Sequence, residues 1–173
     1  MKSLFSLPLL AVNQMIDPVD SITSHRISIQ EQDFNLGDEV ALLEDNNHED
    51  GAVVTFSGRV RNKNLGQNVK GLYLEHYPGM TEKALEKIIE DAKQRWNLGR
   101  ISVIHRIGQL YLGEQIVFVG VTSKHRQDAF SAAEFIMDFL KVDAPFWKKE
   151  LTEQGESWLE ARAIDKNKAQ QWN

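Results

Sequence analysis

Hydrophobic and polar positions along this chain repeat with two different periods, and the switches between them mark out its elements. Residues 25–30, HRISIQ, alternate as a short strand does. LGDEVALLED has helical spacing, with a start expected near Asp38, a good cap residue, and an end in the polar loop NNHEDG. AVVTFSGRVRN (52–62) is rich in β-branched residues and reads as a strand. NKNLGQN reads as a loop and VKGLYLEHY (69–77) as the next strand.

The most legible helix is PGMTEKALEKIIEDAKQRWNLG. Thr81 is its expected N-cap and Glu82 suits the first turn; Leu85, Ile88, Ile89, Ala92 and Trp96 form one stripe, and Gly99 is the expected stop. ISVIHRIG and QIVFVGVTS read as strands joined through LYLGE. A second helix is expected from Ser123 to Lys141, burying Ala129, Phe130, Ala133, Ile136, Met137 and Leu140. SWLEARA (157–163) reads as a last strand and DKNKAQQWN as a frayed tail. The order from residue 69 is strand, helix, strand, strand, helix, strand. Helices against one face of a largely antiparallel sheet is the economical packing, so the fold class is α+β in a single domain.

Composition narrows the function. A chain of 173 residues, 42% apolar and 26% charged, can bury one core and is not disordered over most of its length. The net charge of -5 weighs against a protein that coats a polyanion, so any cationic cluster is local. The absence of cysteine excludes disulfides, thiolate metal sites and a cysteine nucleophile; sulfur chemistry would need an outside reagent. No run approaches the length of a membrane span. The opening MKSLFSLPLLAVNQ is read first as a disordered extension or misassigned start, with Met15 as an alternative start. A signal peptide ranks second, because a clean small-x-small cleavage site is lacking. Residues 1–24 are therefore set apart as an extension, 25–163 as the domain and 164–173 as a tail.

Three cationic groups carry the candidate chemistry. In KVDAPFWKKE, Lys141 precedes Lys148 by seven residues, and Pro145 breaks helical geometry between them, so the two lysines flank a bend. Lys141 at a helix end complements the dipole, Lys148 and Lys149 read simply as surface residues, and from the residues alone these structural readings are favoured. Apolar neighbours such as Phe146 and Trp147 can also desolvate an amine and make it a proton acceptor or nucleophile. Arg59 and Arg61 lie two apart on a strand, and read either as a solvated strand end or as a pair sharing an anion. Lys124, His125 and Arg126 sit at a helix start, where cations oppose the dipole unless an anion is held among them. His76 and His105 read as packed strand histidines, and there is no HExxH and no glycine-rich phosphate loop.

Taken in order, DGAVVTFSGRVRN, LEHYPGMTEKAL, VIHRIG, VFVGVTSKHR, FIMDFLK and APFWKKE resemble the MoaE family, the large catalytic subunit of molybdopterin synthase, from about residue 27 to 163. The resemblance implies an α/β-hammerhead fold. It implies a cytoplasmic sulfurtransferase of molybdenum cofactor biosynthesis, converting cyclic pyranopterin monophosphate into molybdopterin by installing two dithiolene sulfurs. The implied sulfur source is a small ubiquitin-like partner whose C-terminal Gly-Gly ends as a thiocarboxylate. A homodimer of large subunits within a heterotetramer is implied, with sites drawing on both large protomers. No metal or other cofactor is implied, since molybdenum enters at a later step. By motif, Lys141 and Lys148 are the implied catalytic residues. The implied substrate contacts are Arg59, Val60, Arg61, His125, Arg126, Lys141, Lys148, Lys149, Glu150 and Arg162. A non-catalytic anion-binding regulatory module of ferredoxin-like build is the alternative.

Overall fold

A computed structural model describes residues 24–64, 67–159 and 163–172. The expected extension, apart from Ser24, lies outside the described residues, as does Arg162. The elements are β1 (His25–Gln30), α1 (Leu36–Glu44), β2 (Ala52–Arg59), β3 (Lys63–Asn64), β4 (Gln67–His76), α2 (Met80–Arg95), β5 (Leu98–Arg106), β6 (Gly108–Tyr111), β7 (Gln115–Ser123), α3 (Arg126–Val142), β8 (Phe146–Thr152), β9 (Gly155–Leu159) and α4 (Ala163–Gln170).

These elements build two sheets rather than the one expected. The first has the order β1-β5-β7-β2, with β1 parallel to β5 and the other pairs antiparallel. The second is antiparallel in the order β3-β4-β8-β9, and β6 pairs with β4 as well. The single-domain α+β class stands, with mixed and antiparallel sheets and four helices among the described residues.

Helices cover both faces of the first sheet, which corrects the one-face expectation. Residues 101–106 of β5 and 117–123 of β7 are buried without a break. Such continuous runs mark strands covered on both sides. One face meets α2 and α3 through Ile101, Val103, Val119 and Val121, packed with Leu85, Ile89, Ala132 and Ile136. The other face meets α1 and the residues just before it, where Leu43 and Phe34 pack with Ile104 and Phe118.

Local chemistry moves several element ends from their expected positions. Asn35, not Asp38, caps α1, its Oδ1 accepting from the amides of Gly37 (2.8 Å) and Asp38 (3.3 Å). The N-cap of α2 is Gly79 at φ 81°, and Glu82 accepts from its amide at 2.6 Å. Thr81 lies inside the helix, fully buried, with its hydroxyl 2.9 Å from the Tyr77 carbonyl and 3.3 Å from that of Pro145. The helix ends at Trp96 in extended geometry, so Gly99 is no stop. Gly99 lies in β5, where a Cβ would fall 1.8 Å from Asp50 Oδ2 and 2.6 Å from Thr122 Oγ1. That carboxylate accepts from Thr122 (2.6 Å) and Asn47 (2.9 Å), and only glycine leaves room for it.

On α3 the buried stripe is Ala129, Ala132, Ala133, Phe135, Ile136 and Leu140, while Phe130 is 62% exposed. Phe130 shares its helix row with Glu134 and Lys141, a polar flank. The expected frayed tail is α4, followed by Trp172, whose ring meets Trp96 and Phe135 edge-on at 5.7 and 5.6 Å. Its indole donates to Asp138 at 3.0 Å, and Arg95 donates to its carbonyl at 2.7 Å. The tail's polar composition hid this single aromatic anchor. Within the stretch read as a loop, β3 pairs with the start of β4. β8 follows the bend unpredicted, and the expected last strand is β9, ending at Leu159.

Substituting Gly99→Ala is expected to lower stability by about 1–3 kcal/mol, the range for an overfilled site. Urea denaturation checks this; an unchanged midpoint would show that the Asp50 network can move aside.

Candidate active site

The bend at residues 143–145 is held from several sides. Lys141 lies in the last turn of α3, which ends at Val142, and β8 begins at Phe146 immediately after Pro145. The Phe146 amide donates to the Ala144 carbonyl at 2.8 Å, and Thr81 reaches the Pro145 carbonyl. Lys141 is 43% exposed at its side chain, and Asp165 of α4 stands 3.6 Å from its ammonium. A cation in the last turn of a helix also meets the partial negative charge there.

Strand alternation sends Lys148 and Lys149 to opposite faces of the second sheet. Phe146, Lys148 and Glu150 pair with His76, Leu74 and Leu72 of β4, and Leu74 is 1% exposed. That face points into the protein. Lys148 is half-buried there, next to the His105 ring of β5, which stacks on Phe146 at 3.7 Å between centroids and 16° between planes. Burial first, and then the Lys148 charge, push the His105 pKa down to about 3. Its Nδ1 lies 2.8 Å from the Arg106 carbonyl, so a neutral ring donates there. His76 stacks more loosely on Phe146, at 6.4 Å, and its buried Nδ1 has no hydrogen-bond partner among the described residues.

Lys149 faces outward. It pairs with Glu156 at 2.7 Å and lies over the rings of Tyr73 (5.3 Å) and Trp158 (5.6 Å). The Glu156 hydrogen bond holds its ammonium above the usual lysine range. Glu150 is 5% exposed and accepts from Asn64 of β3 at 2.8 Å, bracing the hairpin against β8.

Arg59 and Arg61 are exposed on either side of Val60, which is buried with Leu74 and Leu110. The Val60 amide donates to the Glu114 carbonyl and its carbonyl accepts from Gly113, both at 2.9 Å. Arg59 Nε donates to the Gly113 carbonyl at 2.7 Å. Arg59 and the backbone of Val60 are thus fixed to the turn between β6 and β7, and Arg61 follows them in sequence. His125 is the N-cap of α3 and makes no side-chain capping bond; Arg126 follows in the first turn.

The fold does not bring all these groups together in one chain. Ala52 pairs with Ser123 at one end of the β2–β7 ladder and Arg59 with Gln115 at the other. Seven steps of an extended strand span about 23 Å. His125 and Arg126 stand at the first end. α3 packs along β2 and β7, and its 17 residues return the chain by about 25 Å, so Lys141 comes back to the Arg59 end. The lysine corner and the arginine pair share one end of the molecule, and the helix start occupies the other.

Sequence reasoning missed the His76–Phe146–His105 stack, Asp165 beside Lys141, and the aromatic seat of Lys149. Phe146 and Lys148 are two apart, which would have placed them on one face had 146–152 been read as a strand. Metal-ligand types meet at His25, Glu86 and Glu90, but Lys93 stands 2.8 Å from His25 and 3.0 Å from Glu90, supplying the positive charge itself.

Comparison with known proteins matches this architecture. Residues 29–143 match the MoaE protein family. The molybdopterin synthase catalytic subunit of Escherichia coli K12 is 57% identical over 147 residues, covering 85% of this chain and 97% of that protein. The solved MoaE protein of Burkholderia ambifaria superposes with a TM-score of 0.72 at 46% identity, over 87% of this chain and 97% of that one. A solved complex of subunits 1 and 2 of the molybdopterin-converting factor from Helicobacter pylori contains a chain of the same fold, with a TM-score of 0.64 at 23% identity, covering 80% and 91%. The chain belongs to the MoaE family. Its activity is accordingly that of a molybdopterin synthase catalytic subunit, a sulfurtransferase.

His105 makes acid stability measurable. The native ring stays neutral down to about pH 3, whereas an unfolded one protonates near 6.5. Its contribution is therefore complete above pH 6.5 and lost as pH falls towards 3. Between pH 7 and 5 the wild type is expected to lose about 2 kcal/mol more than His105→Gln. Denaturant titrations at the two pH values test this, and equal losses would mean that His105 titrates as a free imidazole.

Proposed function

We propose that this chain transfers sulfur from the thiocarboxylated C-terminus of a small ubiquitin-like subunit to cyclic pyranopterin monophosphate. The observation that carries this reading is the corner at 143–145, with Lys141 and Lys148 at its two sides and Arg59 at the same end of the β2–β7 ladder. Each transfer forms a carbon–sulfur bond on the pterin side chain as a carbon–oxygen bond at the same carbon breaks and its oxygen departs, protonated; the partner tail's acyl carbon–sulfur bond breaks by addition of water, which restores a carboxylate. Lys141 and Lys148 move protons and offset the charge that develops as the thiocarboxylate reacts. Lys141 is the more exposed of the pair, with Asp165 as its counter-ion.

Arginine suits the substrate phosphate. Arg59, Arg61, His125 and Arg126 serve one substrate only if the helix start comes from a second protomer, since about 23 Å separates the two ends within a chain. That supports a homodimer with composite sites, each partnered by a small subunit in a heterotetramer. Val60 aims the two arginines from its buried position. Glu150 braces β8, Lys149 steadies its outer face, and Arg162 is a further candidate contact. Residues 1–24 are an extension to the family domain. No helix among the described residues is long and apolar enough to cross a membrane, which fits a cytoplasmic enzyme.

With purified chain, thiocarboxylated small subunit and the pterin substrate, Lys141→Ala and Lys148→Ala are expected to lose roughly 100-fold or more in dithiolene formation while staying folded. A folded, partner-bound wild type that makes no product would leave an anion-binding module. Composite sites predict rescue by mixing: dimers of Lys148→Ala with Arg126→Ala contain one intact site, so random mixing restores about one quarter of wild-type activity. Sites built within single protomers would give no rescue.

A further inference from the structure

The inner face of β8 carries a device that the lysine chemistry does not itself explain. Phe146, the first residue of the strand, is the hinge between the Pro145 bend and Lys148. Its ring lies against His105 in near-parallel contact, at 3.7 Å and 16°, with His76 at 6.4 Å on β4. His105 itself cannot shift easily. It is 1% exposed, sits in the doubly covered β5 strand, and its Nδ1–H is committed to the Arg106 carbonyl. Phe146, by contrast, is only half-buried, and Trp147 beside it is 49% exposed. The immobile partner is in the central sheet, and the segment it holds leads to the lysine.

We propose that His105 is a positioning residue for Lys148: stacked on Phe146 and locked by the Arg106 carbonyl, it fixes the start of β8 and so places the ammonium two residues on. Strand alternation makes the link geometric, because Phe146 and Lys148, two residues apart, stand on the same face of β8. A reacting group displaced by about 1 Å can lose as much as 100-fold in rate, even when substrate binding is intact. An aromatic plate at residue 105 is what the placement needs; a charged one would repel Lys148, and burial keeps the imidazole neutral.

This inference rests on the catalytic reading of Lys148, and the experiment separates the two. Steady-state dithiolene formation would be measured for the heterotetramer with wild type, Lys148→Ala, His105→Phe, His105→Ala and Phe146→Leu, each checked for folding and partner binding. His105→Ala and Phe146→Leu are expected to lower kcat at least tenfold, with KM for the pterin within about twofold. His105→Phe, which keeps a ring against Phe146, is expected to stay within about threefold of wild type. If His105→Ala does not fold, Phe146→Leu decides on the same criteria. A folded His105→Ala or Phe146→Leu with unchanged kcat, beside an inactive Lys148→Ala, overturns this inference alone. So does a His105→Phe variant as slow as His105→Ala. Full turnover by Lys148→Ala would overturn the role of the lysine and this inference with it.

Discussion

The pairing of β5 with β7, buried on both faces, is the constraint from which the rest of the molecule follows. A strand pair covered on both sides leaves no solvent face for polar groups, so a charge there is costly and most polar residues are paired locally, Ser102 Oγ being an exception. Thr122 meets Asp50, Ser123 donates to the Asn97 carbonyl at 2.8 Å, and His105 gives up its charge. Charged chemistry is displaced to the ends of the sheet and to the second sheet. There the chain turns at Gly113, at the start of α3 and at Pro145, and there the candidate residues stand.

The two-ended arrangement is a direct result of antiparallel geometry. β2 and β7 run in opposite directions, so a motif at the end of β2 and one just after β7 are held apart by the whole length of the ladder. α3 then carries the chain back, and one short helix–strand corner returns to the arginine end. A chain built in this way holds its two groups of cationic residues at opposite ends, and on the proposed reading a two-fold dimer brings one group from each protomer together.

Much of this was legible in the residues. The long apolar runs of β5 and β7 and the stripe of α2 announced themselves, because burial leaves a periodic imprint. The cationic motifs were also visible by residue type. What stayed hidden depended on partners distant in sequence. Nothing in DKNKAQQWN shows that Trp172 will find Phe135, and Gly99 looked like a helix stop because Asp50, which needs its missing side chain, lies 49 residues earlier. β8 stays hidden because FWKKELT does not alternate apolar with polar residues: Phe146 and Trp147 are neighbours, and so are Lys148 and Lys149. Phe130 is expected inside and found exposed because hydrophobicity alone does not distinguish the flank of a helix from its buried row.

Adjacent lysines on one strand also make β8 a two-sided partition. Lys148 and Glu150 share the interior with Phe146, while Trp147 and Lys149 sit outside with Tyr73 and Trp158. A slip of one residue against β4 would exchange the two sets and present an indole to His105 where a phenyl ring now lies. The ladder is already irregular between Val69 and Gly71, so hydrogen bonding alone is not the sole keeper of alignment. If His105 positions Phe146 as proposed, the ring contact at the strand's first residue is also a registration mark, favouring the alignment in which Lys148 and not Lys149 turns inward.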